Sequence, residues 1–397
     1  MKVTAIICEY NPFTNGHLKH LKLAREETGA DTVICIMSGS FTQRGDAAIL
    51  SKYQRAELAV RMGADMVVEL PLIFAISPAD NFAYGAVKIL STLPDIEYLS
   101  FGSECGDANL LTKVARLLSD EPTDFKVLLQ KFQSDGNSFP KARSLALKAY
   151  AELNPEYADI SLMLEKPNNV LGIAYIMALK KFGLDNVKLH TIKRETDYNN
   201  LAIEGDYPSA SAIRMALMQG KTTEIKNSVP PFTYNLLEKY KTGGTSLGDL
   251  CLFKLKDISG YDLENYYDYN GGLNNRLKLA ATESSTFEQF LEKAKSKNYT
   301  LARIKRLALY ALFDITKDMY AEICELPPYV HILALNKERK DLLKATHASC
   351  PNTLNRYSDI DKVDKRLRHY IKLDFKAQGT LNIINRSESY EKAMLLI

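Results

Sequence analysis

Tryptophan is absent from this 397-residue sequence, and only six cysteines and six histidines occur in it. The cysteines are scattered without a Cys-x-x-Cys pair, so we expect neither a disulfide framework nor a structural zinc site, and a reducing compartment fits. His17 and His20 lie three residues apart without a third ligand nearby, and no His-Glu-x-x-His spacing occurs. The sequence therefore predicts no metal site built from protein side chains alone.

Long apolar runs are also missing. No uninterrupted apolar segment approaches the ~20 residues that a membrane-spanning helix needs, and the first apolar run is soon broken by Glu9, Asn11 and Pro12. We therefore expect a cytoplasmic protein without a secretory signal or a membrane partner, and we predict no stable protein partner. The formal net charge of +3 is too small by itself to indicate a polyanionic ligand.

The stretch near the start carries the first chemical signal. An apolar run over residues 3–8 predicts a buried strand, Asn11-Pro12 breaks it, and a helical pattern begins at about Gly16. A strand, a polar turn and a helix in this order form an anion site, because the first helical amides are unpaired. Thr14-x-Gly16-His17 resembles the [His/Thr]-x-Gly-His signature of nucleotidylyltransferases, in which His17 would contact the α-phosphate. The alternative is an ordinary surface or capping histidine.

Four further apolar strands alternate with helical segments, at residues 32–37, 65–70, 96–101 and 187–192. This alternation predicts an α/β fold, a Rossmann-like doubly wound parallel sheet with helices on both faces. Ligands of such sheets bind beyond the carboxyl ends of the strands. Four loops are expected to converge there: residues 10–17, 38–45, 70–78 and 102–107.

Polar residues in the second half of this region complete the predicted site. Asn168 and Asn169 open a helix, where one is expected to cap it and the other is available to a base edge. Residues 187–192 deliver Arg194 to the same end of the sheet. In the segment 209–214, hydroxyls and helix amides can hold β- and γ-phosphates, with Ser211 and Arg214 as the principal groups. A plain serine-capped helix is the alternative for this segment.

The chain changes character after Gly243-Gly244, and from residue 247 its pattern is largely helical. We predict two domains, 1–222 and 223–397, the second mainly helical. Residues 291–310 hold six basic residues, and helical spacing predicts that Arg303, Arg306 and Tyr310 share an exposed face for RNA phosphates and base stacking. A solvated basic face is the alternative. The last 25 residues, with short alternation, suggest a small strand pair.

Six motifs occur in one order over the first ~215 residues, and as a set they resemble the bacterial tRNA(Met) cytidine acetate ligase family. They are Glu-Tyr-Asn-Pro-Phe-x-Asn-Gly-His (9–17), Met-Ser-Gly-x-Phe-x-Gln-Arg-Gly (37–45), Gly-Ala-Asp-x-Val-x-Glu-Leu-Pro (63–71), Phe-Gly-Ser-Glu (101–104), Lys-Pro-Asn-Asn-x-Leu-Gly (166–172) and Ser-Ala-Ser-x-Ile-Arg (209–214). The family often has His where this sequence has Thr14, which implies a weaker phosphate contact there.

The resemblance implies an enzyme that uses ATP, with Mg²⁺, and acetate to form acetyl-adenylate. It then acetylates the wobble cytidine of elongator tRNA(Met). His17, Ser211 and Arg214 would be the catalytic residues. The implied ATP-binding residues are Ile7, Cys8, Glu9, Tyr10, Asn11, Pro12, Phe13, Thr14, Asn15, Gly16, His17, Leu18, Lys19, His20, Gly102, Asn168, Asn169 and Arg194.

Two other functions share parts of this pattern. A small-molecule adenylyltransferase releasing pyrophosphate would use both phosphate motifs but would leave the basic helical region unexplained. A nucleotide-sensing RNA-binding protein without chemistry would have no need of His17 and Arg214. Any release of pyrophosphate would exclude the RNA-binding protein without chemistry. A reaction that requires acetate and tRNA would exclude the small-molecule adenylyltransferase.

Overall fold

The computed structural model describes residues 1–194, 203, 207–240, 246–270, 272–387 and 393–397. The predicted turn at Gly243-Gly244 lies outside these ranges. Eight strands occur within them: β1 Val3–Cys8, β2 Thr32–Ser38, β3 Met66–Leu70, β4 Ile96–Ser103, β5 Lys188–Lys193, β6 Val330–Leu335, β7 Thr353–Leu354 and β8 Leu395–Leu396.

Eighteen α-helices surround these strands in the same ranges. They are α1 Asn15–Thr28, α2 Lys52–Arg61, α3 Leu72–Ala75, α4 Ala79–Leu90, α5 Ala108–Asp120, α6 Thr123–Ser134, α7 Phe139–Leu153, α8 Pro167–Lys181, α9 Ala210–Met218, α10 Pro231–Leu237, α11 Leu247–Asp257, α12 Gly260–Leu263, α13 Leu273–Thr282, α14 Phe287–Ala294, α15 Leu301–Leu312, α16 Lys317–Glu325, α17 Lys340–Ser349 and α18 Arg368–Asn385. None of the helices in the described ranges is long and apolar enough to cross a membrane.

The sheet has the strand order β5-β4-β1-β2-β3-β6-β7, and β8 pairs with β6. The first five strands are mutually parallel, as the apolar runs predicted. Alternate residues of β1 belong to two different cores. Ala5 and Ile7 pack with the core that includes α4 and α8, and Ile6 packs on the opposite face with α1, α2 and α9. The doubly wound α/β fold is therefore confirmed.

The C-terminal half also contributes strands to this sheet. β6 pairs antiparallel with β3, so the sheet is mixed, and β7 and β8 extend it beyond β6. The mainly helical pattern beyond residue 247 does not predict this strand, because a six-residue apolar run is ambiguous between helix and strand. The division of the chain at residues 222 and 223 stays a prediction.

The strand pair predicted for the last 25 residues is wrong, because residues 373–385 belong to α18 and the strand β8 pairs with β6, outside this segment. The buried face of α18 includes Tyr370, Asp374, Gln378 and Leu381, at helical spacing. Polar residues fill two of these four positions, so the apolar residues alone do not show the helical period. Asp374 accepts from the Leu72 amide, and Gln378 accepts from the Ser40 hydroxyl, which ties α18 to the loops beside β2 and β3.

Candidate active site

A cleft of about 270 Å³ opens at the carboxyl ends of β1, β4 and β5. The turn after β1, the loop after β2 and the N-termini of α8 and α9 form its walls. Fifteen predicted residues line it: Ile7, Cys8, Glu9, Tyr10, Asn11, Thr14, Gly16, His17, Lys19, His20, Gly102, Asn168, Arg194, Ser211 and Arg214. Segments separated by more than two hundred residues in the chain thus meet at one site.

Five predicted ATP-binding residues do not line the cleft: Pro12, Phe13, Asn15, Leu18 and Asn169. Phe13 is fully buried in the core beside α1. The amide of Asn15 donates to Ser228 O and its side chain to Asn227 O, so Asn15 joins α1 to the segment after α9. These residues shape the turn around the cleft. An ATP contact by any of them stays a prediction.

The N-terminus of α1 positions His17 through a capping box. The Thr14 hydroxyl accepts from the His17 amide at 3.3 Å, and the Thr14 amide donates to Nδ1 of His17 at 3.1 Å. Because Nδ1 accepts, the neutral ring carries its proton on Nε2. Burial, followed by the nearby Arg194 charge, lowers the pKa of His17 to about 3. His17 is therefore a neutral ring with an Nε2 proton to donate.

Arg214 joins the second phosphate motif to the first. Its Nη1 donates to the carbonyl oxygen of Asn11 at 2.7 Å, and its Nη2 donates to the Ser211 hydroxyl at 3.0 Å. Ser209 caps α9 by accepting from the Ala212 amide. Capping and cleft lining therefore coexist in this motif, since Ser209, Ser211 and Arg214 all line the cleft. The guanidinium is held beside the turn that precedes α1.

Glu104 organises the opposite wall. Its carboxylate accepts from the amides of Asn168 and Asn169, so it caps α8 in place of either asparagine. The Asn169 side-chain oxygen instead accepts from the amides of Glu104 and Cys105. The expectation that one asparagine caps its own helix is wrong, because Glu104 takes that position. Asn168 accepts from Nη1 of Arg194 at 2.6 Å and lines the cleft.

The described residues that line the cleft are strongly basic as a set. Five basic side chains line it, and Glu9 is the one acidic side chain among these lining residues. Glu9 accepts from the Gln43 amide at 2.7 Å, and burial raises its pKa. The Arg194 side chain packs on Gly102, where an added Cβ would lie 3.2 Å from two of its carbons. The lining favours a ligand with several negative charges.

Sequence reasoning missed several lining residues, among them Gln43, Arg44, Tyr175 and Tyr207. Gln43 and Arg44 lie in a loop that was expected at the site, but no role had been given to either side chain. Tyr175 lies in the middle of α8, where an aromatic residue is usually part of the core. The expected convergence of residues 70–78 is wrong: none of them lines the cleft, because α3 is fully buried.

The basic helix α15 is more enclosed than its charge pattern predicted. Tyr310 is fully buried and donates to the carbonyl oxygen of Ile76, so its predicted exposure is wrong. Arg303 pairs with Asp268 at 2.8 Å, and Arg306 donates to the carbonyl oxygen of Gln43. Residues on more than one face of α15 are buried, so the helix does not have the one buried face and one exposed basic face that helical spacing predicts. A role of Arg303 and Arg306 in RNA binding stays a prediction.

The fold and the cleft are those of a nucleotidyl transferase: a family model described as HIGH Nucleotidyl Transferase matches residues 1–394. Proteins named tRNA(Met) cytidine acetate ligase are 37% identical in Thermoanaerobacter sp. (88% of this chain, 87% of the relative) and 36% identical in Halothermothrix orenii (98% and 93%). The chain therefore belongs to the tRNA(Met) cytidine acetate ligase family within the HIGH nucleotidyl transferases.

Two crystal structures of Thermotoga maritima TmcAL superpose on the whole chain. The apo form has a TM-score of 0.93 at 33% identity, and the form bound with alpha-thio ATP has a TM-score of 0.90 at 32% identity. Each comparison covers 100% of both chains. The similarity thus includes the C-terminal helices and the strands β6 to β8.

Proposed function

We propose that this protein activates acetate with ATP and transfers the acetyl group to the wobble cytidine of elongator tRNA(Met). The observation that carries the proposal is the meeting of His17 and Arg214 in one basic cleft, because two separate phosphate motifs are thereby directed at one ligand. The names of the relatives and the alpha-thio ATP in the Thermotoga maritima crystal support the choice of substrates.

In the first step, a carboxylate oxygen of acetate attacks the α-phosphorus, and the bond from that phosphorus to the bridging oxygen of the β-phosphate breaks. Acetyl-adenylate and pyrophosphate are formed. The Nε2 proton of His17 would stabilise charge on the α-phosphate, and Arg214 with the N-terminus of α9 would hold the leaving pyrophosphate. Binding acetate beside the phosphorus supplies the remaining rate enhancement through proximity.

In the second step, the exocyclic amine of the cytidine attacks the acetyl carbon, and the bond to the AMP oxygen breaks. The amine loses one proton as the amide forms. No covalent enzyme intermediate is required, so neither a nucleophilic cysteine nor a serine triad is needed. An anticodon loop presents unpaired bases that can enter a cleft.

Magnesium fits this site as part of the ATP complex. The described ranges contain no group of three or more His, Cys, Asp and Glu side chains able to hold a metal ion. Phosphate oxygens would therefore provide most of the ligands, and Glu9 is the one carboxylate among the described lining residues. Bound in this way, magnesium would neutralise charge on the pyrophosphate. A cytoplasmic location stays a prediction.

The test is transfer of labelled acetate to a tRNA(Met) transcript, with a transcript carrying uridine at the wobble position as the control. We expect ATP-dependent labelling of the cytidine transcript alone. Labelling of neither transcript, with pyrophosphate released only when a phosphorylated metabolite is supplied, would instead establish a small-molecule adenylyltransferase.

A further inference from the structure

A chain of three hydrogen bonds runs from the protein surface to the cleft. Glu27 Oε2 lies 2.8 Å from Nε2 of His190, and Nδ1 of His190 lies 2.9 Å from the Ser100 hydroxyl. That hydroxyl lies 2.9 Å from Nε2 of His20, which lines the cleft. Ser100 and His190 are directly paired residues of β4 and β5, and Ser100 is fully buried. The chain begins at a half-exposed carboxylate and ends beside the ligand site.

A carboxylate at one end, together with a single proton on each imidazole, sets the direction of every bond in this chain. A carboxylate at neutral pH only accepts, so Nε2 of His190 must donate to Glu27. A neutral imidazole carries a single proton, so when Nε2 of His190 holds it, Nδ1 accepts from the Ser100 hydroxyl. The Ser100 oxygen then accepts from Nε2 of His20, which leaves Nδ1 of His20 without a proton. His20 itself stays neutral, since burial, followed by the nearby Arg194 charge, lowers its pKa to about 3.

Nδ1 of His20 is available to a ligand. Within the described part of the chain, no group hydrogen-bonds to this nitrogen, and the nitrogen is not fully buried. Because His20 also lines the cleft, Nδ1 can accept a hydrogen bond from a ligand there. His20 lies three residues after His17 on α1, so the two side chains are about 5–6 Å apart on one helix face.

We propose that Glu27, His190 and Ser100 are positioning residues that hold His20 as a hydrogen-bond acceptor for a ribose hydroxyl of ATP. The identity of the ligand rests on the proposed function, whereas the direction of the hydrogen-bond chain does not. The ribose is attached directly to the α-phosphate, which His17 contacts in the proposed function, so a ribose hydroxyl would lie within reach of the next helical turn.

Glu27→Lys reverses the chain without touching the cleft. An ammonium only donates, so Nε2 of His190 must accept from it and the His190 proton moves to Nδ1. Nδ1 then donates to the Ser100 oxygen, and the Ser100 hydroxyl donates to Nε2 of His20. His20 then carries its proton on Nδ1 and can no longer accept from the ribose. Glu26→Lys is the matched control, because it makes the same charge change at the neighbouring exposed residue. Ser100→Ala is the second variant and cuts the chain in the middle.

Two measurements test the proposal. Long-range ¹H–¹⁵N correlation spectra of the ligand-free protein report which ring nitrogen of each of the six histidines carries the proton. We expect Nε2 on His20 in the parent and in Glu26→Lys, and Nδ1 in Glu27→Lys. By calorimetry, Glu27→Lys and Ser100→Ala should bind ATP about five-fold more weakly than Glu26→Lys, the value of one neutral hydrogen bond. Both variants should also lose the parent's preference for ATP over either 2′-deoxy-ATP or 3′-deoxy-ATP.

A proton on Nδ1 of His20 in the parent overturns the proposal, as does ATP binding by both variants that equals the Glu26→Lys control. Equal affinity of the parent for ATP and both deoxy analogues overturns the ribose assignment. If the parent binds no ATP, the proposed function fails, and the spectra still decide the direction of the hydrogen-bond chain.

Discussion

Arg214 donates from Nη1 to the carbonyl oxygen of Asn11 across 2.7 Å, although 203 residues separate them in the chain. This bond joins the N-terminus of α9 to the turn that leads into α1. A second donor, Nη2, is used by Ser211, so three of the five guanidinium N–H groups remain for other partners. The arginine is thus oriented before any ligand binds, which would reduce the entropy lost if it binds a phosphate.

His17→Gln should lower acetate-dependent ATP–pyrophosphate exchange by about 100-fold or more, because the rigid Nε2–H donor of the imidazole is lost and the flexible glutamine amide no longer holds an N–H group at that position. Glutamine at this position can still accept from the Thr14 amide, as in an ordinary capping box, so the helix start is kept. The melting temperature should therefore stay within a few degrees of the parent. Exchange near the parent rate would show that His17 does not contact the reacting phosphate.

Arg214→Lys should slow the same exchange reaction by about 100-fold, although the charge is unchanged. A lysine ammonium cannot span Asn11 and Ser211 while also presenting a planar fork to a phosphate. Circular dichroism and thermal melting check that the fold is intact. If Arg214→Lys were as active as the parent, charge alone would suffice and the bridging geometry would be irrelevant.

Arg306→Ala should slow acetate activation in the absence of tRNA, because Arg306 supports the loop that contacts Glu9. Arg306 donates to Gln43 O, and the Gln43 amide donates to the Glu9 carboxylate. We expect the KM for ATP to rise a few-fold. Arg303→Ala is the control, since Arg303 pairs with Asp268 instead. If the two variants activated acetate with identical kinetics and showed only a salt-dependent loss of tRNA affinity, α15 would have a role in RNA binding alone.

Asp374→Asn should make the protein less sensitive to rising pH. Burial, followed by the neighbouring Glu69 charge, raises the pKa of Asp374 to about 8. A raised carboxyl pKa means that the folded state holds an extra proton, so its stabilising effect is complete below pH 4 and is lost as pH rises through 8. From pH 6 to pH 8 the parent should lose about 2 kcal/mol of unfolding free energy more than Asp374→Asn.

Urea unfolding at pH 6, 7 and 8 measures this difference, and Asp318→Asn, at an exposed position of α16, is the matched control for the amide substitution. Parallel stability curves for the parent and Asp374→Asn would show that Asp374 does not hold a proton in this range.

The strands around the cleft could be predicted because each is a continuous apolar run between turn residues, as in residues 32–38. Their order along the chain also placed His17 and Arg214 at one edge of the sheet. The strand β6 could not be predicted in the same way, because its pairing with β3 depends on residues more than 250 positions apart. Similarly, the polar residues on the buried face of α18 are explained only by their hydrogen bonds to the loops that they contact.

The side-chain contacts of the cleft were less predictable than its position. Glu104 takes the capping role expected of an asparagine, which requires the turn after β4 to lie against α8. The pairing of Ser100 with His190 follows from the register of β4 and β5, which no sequence pattern specifies. Tyr310 was expected in solvent because helical spacing shows one packed face, whereas α15 is enclosed on more than one side.

The most direct measurement is a crystal structure of this protein with a non-hydrolysable ATP analogue. We predict that Nε2 of His17 lies within hydrogen-bond distance of an α-phosphate oxygen, and that Arg214 contacts the β- or γ-phosphate of the same molecule. A nucleotide bound elsewhere, or one that contacts only one of these two residues, would contradict the account.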